Sequence, residues 1–287
     1  MAATLSSRME IARRAAPTLR DDQLVRSVAA GILDDLGVTE PPVDVEMVAS
    51  YLGIDGIVVD DDLPASGCLR QRDDGRFEIR VLGADPVTRQ RFTIGHECAH
   101  TFFPGYATRS RYRCAPVERT DDRRDVEALC DLAASEILLP SRLFGRDALA
   151  GAFGFAGLER LAQRYEASLE ATARRYVDAR PEPTALLLLS VRHRPSDRRN
   201  LQPPRLRVDY AHCKGEWPYF LPSKSVTTGD PLDRAAGGED ISERCTFSGI
   251  CDRPVTVDIE ARYCPIVVDG EERRRVVALL RRVEDRR

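Results

Sequence analysis

Histidine is scarce in this chain, with four among 287 residues, and lysine is scarcer still: only Lys214 and Lys224. There is no excess of positive charge, since 43 Lys and Arg face 46 Asp and Glu for a net charge of -3, and that removes the global electrostatic case for nucleic-acid binding. No apolar run approaches the ~18 residues of a membrane span. The longest candidate, Ala185-Leu186-Leu187-Leu188-Leu189, is far too short, so no membrane association is expected. The N-terminal stretch carries Arg8, Glu10, Arg13 and Arg14 and lacks the apolar segment of a secretory signal. None of the eight cysteines forms a Cys-x-x-Cys pair. Reduced thiols and a cytoplasmic location are therefore expected. Cys98 and Cys130 sit in apolar helical contexts and read as small core residues. A second metal site built from Cys213, Cys245, Cys251 and Cys264 with His212 has only irregular spacing behind it.

What is present is concentrated. Two of the four histidines fall in His96-Glu97-Cys98-Ala99-His100. On a helix, residues four apart are separated by about 40° around the axis, so both imidazoles can grip one ion. Glu97 between them can lean toward an open coordination position, where a water would need a base. The competing reading is a surface helix with two solvated histidines. Phe92, Ile94, Phe102 and Phe103 argue against it, because they flank the motif with apolar residues that suggest burial.

The surrounding pattern is mixed α and β. An amphipathic helix is expected over residues 21–36, a second over 43–52, and strands over 54–59, 65–71 and 77–81. The Asp74-Gly75 step marks a hairpin. Asp85 reads as N-cap and Pro86 as first residue of the motif helix, which is expected to stop near Phe103. A strand beside such a helix can offer its free edge to an extended peptide. Residues 104–124 read as a long polar loop and 125–139 as a helix. Helices near 157–166 and 168–178 give a helix-turn-helix-like segment, within about 155–180. In an acidic chain with no local lysine, packing explains it better than DNA contact. Pro181-Glu182-Pro183 reads as a linker. Beyond it come expected strands over 185–192, 205–210 and 254–263 and a final helix over 271–283, a smaller α+β domain at 184–287. Residues 1–20 read as a flexible N-terminus and 21–180 as the first domain.

Two histidines need a third ligand. No later histidine precedes His193, so a downstream carboxylate is expected, from Glu118, Asp121, Asp122, Asp125, Glu127, Asp131 and Glu136. Glu127 and Asp131 are four apart on one helix face, whereas Glu136 falls about 180° away. The economical assignment makes Glu127 the ligand and Asp131 the acceptor for the ring N–H of a ligating histidine. A solvated Glu-Asp pair on an amphipathic helix is the alternative.

These segments resemble the ImmA/IrrE metallopeptidases. Their pattern is F-T-x-x-H-E-x-x-H followed by E-x-x-A-[ND]-x-x-A-x-x-L-L-M-P. Phe92-Thr93 match the lead-in, Glu127 the glutamate and Asp131 the Asn/Asp position, while Cys130 replaces the usual Ala and Leu139 the usual Met. Pro42-Val43-Asp44-Val45 and Tyr51-Leu52-Gly53-Ile54 are also similar, and the likeness covers roughly residues 20 to 180. It implies an α+β protein: a mainly helical zincin-like metallopeptidase domain with a small antiparallel sheet, then a smaller C-terminal α+β domain resembling the GAF-like sensor domain of IrrE-like members. It also implies a Zn²⁺ enzyme that cleaves an XRE-type helix-turn-helix repressor and so induces stress-response or mobile-element genes. The His₂Glu set suits Mn²⁺ as well. Direct DNA binding is not expected. The residues themselves fit metal-assisted peptide hydrolysis with Glu97 as base, and Tyr106, Tyr112, Arg111 and His212 stand as candidate oxyanion donors. The contrasting reading is a regulatory module with a structural metal, a ligand-sensing C-terminal domain and a promoter-binding helix-turn-helix.

Overall fold

The computed structural model describes residues 7–106, 121–194, 202–222, 224–268 and 271–283. The chain folds as two units: residues 1–144 with 160–171, and residues 145–159 with 172–287. Among the described residues no helix is long and apolar enough to cross a membrane.

In the first unit, Ser7 and Glu10 close a capping box on helix α1 (Arg8–Ala15). Met9 is buried and its N–H donates to Phe102 O at 3.0 Å, so this helix lies within a stretch expected to be flexible, yet it is docked. Helix α2 (Asp21–Asp35) buries Leu24, Val25, Ala29, Ile32 and Leu33 at helical spacing. Helix α3 (Val45–Tyr51) starts at the N-cap Asp44, whose carboxylate accepts from the Glu46 and Met47 N–H groups.

Strands β1 (Ile54–Asp60), β2 (Gly67–Gln71) and β3 (Phe77–Leu82) form a sheet in the order β1-β3-β2. The expected antiparallel hairpin is the β2–β3 pair, turned at Gly75 with φ +86°. Strand β1 adds to the other side of β3 in parallel, so the small sheet is mixed. Helix α4 (Val87–His100) follows. Its N-cap is Pro86 rather than Asp85, because Pro86 has extended ψ (147°) and Val87 is the first helical residue. It ends at His100, three residues before the expected stop.

Helix α5 (Asp121–Leu138) begins four residues earlier than expected. It packs on α4 through small residues: an added Cβ at Gly95 would lie 3.4 Å from Ala134 Cα. Helix α6 (Ser141–Leu149) was not anticipated. The buried Glu136 carboxylate accepts from Ser141 N at 2.7 Å and Oγ at 2.8 Å, satisfying the start of this helix after the Pro140 break. Helices α7 (Phe155–Tyr165) and α8 (Leu169–Ala179) are the helix-turn-helix-like pair, joined through Glu166 at φ +49°. Helix α8 buries Thr172, Ala173, Arg175, Tyr176 and Val177, the packed face of an amphipathic helix.

The second unit is built on strands β4 (Thr184–Arg192), β5 (Arg205–Lys214), β6 (Ile241–Phe247) and β7 (Val255–Tyr263), a short pair β8 (Ile266–Val268) and β9 (Glu271–Arg273), and β10 (Arg275–Arg282). Its five-stranded sheet runs β5-β4-β10-β7-β6 with every pair antiparallel. The short helix α9 (Pro231–Ala236) packs on it, burying Leu232, Ala235 and Ala236. The expected final helix over 271–283 is therefore incorrect; that segment forms β9 and β10. Val276, Val277, Ala278, Leu279 and Leu280 are all buried between β4 and β7, and a continuous apolar run covered on both faces belongs to a central strand.

Helix α7 is tied to this sheet at its start. Phe155 N–H donates to Glu260 Oε2 at 2.6 Å, and the same carboxylate fills the space where a Cβ on Gly154 would stand. Gly154 has φ +137°, a conformation that L side chains rarely adopt. Gly154→Ala is expected to lower stability by about 1–3 kcal/mol, from backbone strain together with displacement of the capping carboxylate, read as a fall in the urea midpoint at unchanged m-value.

Candidate metal centre

Helix α4 presents His96 and His100 one turn apart, and α5 presents Glu127, Cys130 and Asp131 on one face by their i, i+3, i+4 spacing. Because Gly95, Cys98, Ala99, Cys130, Ala133 and Ala134 are small and buried, the two helices approach closely enough for these faces to meet.

The His96 and His100 rings stand edge to face, with centroids 4.8 Å apart and planes at 81°. Glu127 Oε2 lies 3.1 Å from His96 Nε2 and 3.7 Å from His100 Nε2. One donor atom from each of His96, His100 and Glu127 falls within a 4.8 Å span, and these three residues form the only such group of metal-binding side chains among the described residues. Donors bound tetrahedrally at 2.0–2.2 Å would sit about 3.3–3.5 Å apart. The observed 3.1 and 3.7 Å bracket that spacing. The outer ring nitrogens are engaged elsewhere: His96 Nδ1 lies 2.9 Å from Asp131 Oδ1, and His100 Nδ1 lies 3.1 Å from Cys130 Sγ. Both Nε2 atoms face the carboxylate, and the donor set fits a divalent metal ion.

The centre is closed on one side and open on the other. His100 is 2% exposed, whereas the Glu127 side chain is 53% exposed. Glu97 is buried beside His96. Burial lowers the His96 pKa, but hydrogen bonds to Asp131 and Glu127 and the charges of Glu97 and Asp131 outweigh it, raising the imidazole from 6.5 to about 9.

The other candidates make contacts of their own or lie outside the described residues. Glu136 caps α6 instead of facing the histidines. Tyr106 packs its ring against Phe77, with centroids 5.3 Å apart. His212 lies on β5 in the second unit, with Nε2 2.7 Å from Asp178 Oδ1 and its ring stacked on Tyr210. Arg111, Tyr112 and Glu118 lie outside the described residues, as do the side chains of Asp121 and Asp122. Cys130 is the contact that sequence reasoning missed. Its place on the Glu127–Asp131 face was the available signal, set aside because the residue read as core.

Residues 56–177 match the family model of the IrrE N-terminal-like domain, a family named as a peptidase. This part of the chain is similar to an IrrE N-terminal-like domain. The match covers both halves of the candidate centre, His96 to His100 and Glu127 to Asp131. Among solved structures, a Mycobacterium tuberculosis transcriptional regulator is similar to the chain, with 15% identity, a TM-score of 0.61 and coverage of 96% of this chain and 80% of that one. At that identity the likeness concerns the fold alone. No curated protein sequence matches the chain.

The charge environment of the IrrE-like domain yields a test. An imidazole whose folded pKa is raised from 6.5 to about 9 adds stability that is fully present below pH 6.5 and is lost as pH rises through 9. In chelator-treated protein the His96 ring signals should titrate with a midpoint near 9, and Asp131→Asn should lower that midpoint. A wild-type midpoint near 6.5, measured by NMR, would contradict the geometry described.

Proposed function

We propose that the IrrE-like domain is a metal-dependent endopeptidase. His96, His100 and Glu127 would hold Zn²⁺, or Mn²⁺ where that ion prevails, since the donor set suits both. A divalent ion bound there supplies Lewis acidity, making a water a nucleophile near neutral pH and polarising a peptide carbonyl. Glu97 takes the proton from the attacking water and hands it to the departing amine. Asp131 holds the His96 ring through Nδ1, fixing its orientation and raising its basicity. The observation that carries this reading is the convergence of two imidazoles and a carboxylate from separate helices, beside a buried glutamate that a purely structural site would not need.

Substrate access fits the same reading. Strand β2 is an edge of the small sheet among the described residues and packs against α4. An extended peptide added to that edge would run alongside the motif helix. The substrate proposed is an XRE-type helix-turn-helix repressor, whose cleavage would induce a stress-response or mobile-element regulon. It rests on the ImmA/IrrE resemblance, and the name of the solved neighbour, a transcriptional regulator, is compatible with a role in gene control. Glu97→Gln should keep its metal and lose roughly 10²–10⁴-fold in cleavage of a repressor encoded nearby, followed by gel and mass spectrometry with and without chelator. Undiminished cleavage by the metal-loaded variant would remove Glu97 from the role of base.

A further inference from the structure

The two histidines of the centre are supported differently. His96 has a carboxylate at its outer nitrogen, the exposed Asp131, whereas His100 has the fully buried Cys130 sulfur at 3.1 Å from Nδ1. If His100 binds a metal through Nε2, its single ring proton must reside on Nδ1. That N–H is enclosed, because His100 is 2% and Cys130 0% exposed, and a buried donor needs an acceptor. We infer that Cys130 is a positioning residue for the metal centre: its sulfur accepts the His100 Nδ1–H, which sets the tautomer and aims the Nε2 lone pair at the ion.

The inference rests on the metallopeptidase reading of His100 and deepens it. Cys130 lies on the Nδ1 side of the ring, so it steers the ligand without being one, and the three-residue donor group excludes it accordingly. Thiol sulfur is a weaker acceptor than a carboxylate. The two rings are therefore held by acceptors of different strength.

The experiment measures zinc affinity by chelator competition in full-length wild type, Cys130→Ala, Cys130→Val and Cys130→Ser, together with the His100 and His96 ring N–H resonances of the zinc-loaded proteins. Loss of the acceptor in Cys130→Ala should weaken zinc binding at least about tenfold and shift the His100 Nδ1–H resonance while leaving that of His96 in place. Cys130→Val preserves the volume of the site better and should behave like Cys130→Ala, which keeps the test alive if the smaller residue impairs folding. Cys130→Ser restores an acceptor and should recover most of the affinity. Wild-type affinity in both apolar variants with an unmoved His100 resonance would overturn the inference and leave the proposed function standing. Absence of zinc uptake by the wild-type protein would overturn the proposed function, and the inference with it.

Discussion

The close approach of α4 and α5 is the constraint on which the rest depends. At Gly95 a methyl group would already touch the Ala134 backbone, and the neighbouring interface positions are Cys98, Ala99, Cys130 and Ala133, all fully buried. Packed helices ordinarily stand about 8–10 Å apart, according to the side chains between them. Larger residues here would push the backbones apart and withdraw Glu127 from the two imidazoles. The small residues contribute less apolar burial than leucines would. What they permit is a carboxylate and two ring nitrogens within 4.8 Å of one another.

That proximity has an electrostatic consequence. Glu97, Glu127 and Asp131 all act on His96 in a partly buried space, and their combined effect overcomes the desolvation that would otherwise favour the neutral ring. The cluster is built to hold positive charge. A proton on His96 and a divalent ion at Nε2 would be alternative ways of supplying it, so an ion bound there would displace the proton. The Glu127 carboxylate is the solvent-facing member of the group, while buried His100 lies on its deep side.

The candidate site was more legible in the sequence than the fold around it. The H-E-x-x-H spacing and the i, i+4 placement of Glu127 and Asp131 are rigid consequences of helix geometry, and both survive folding intact. Cys130 escaped because a buried cysteine in an apolar stretch looks like packing until a ring nitrogen is found against it. Helix α6 was missed because its start is satisfied by Glu136 from the preceding helix, a tertiary contact that no local pattern announces. The last segment was misjudged for a different reason. Val276 to Leu280 form a short apolar run without alternation, and periodicity cannot separate a buried strand from a helix there; the neighbours β4 and β7 decide it. Asp85 has the residue type of an N-cap, yet Pro86 occupies that position because its extended ψ places the first helical residue at Val87.

The most direct test is zinc-edge X-ray absorption on protein loaded with one equivalent of metal. The account predicts a shell of nitrogen and oxygen only, at about 2.0–2.2 Å, with outer scattering from two imidazoles. A sulfur scatterer at about 2.3 Å would bring Cys98 or Cys130 into the coordination sphere and contradict it, as would the signature of fewer than two imidazoles.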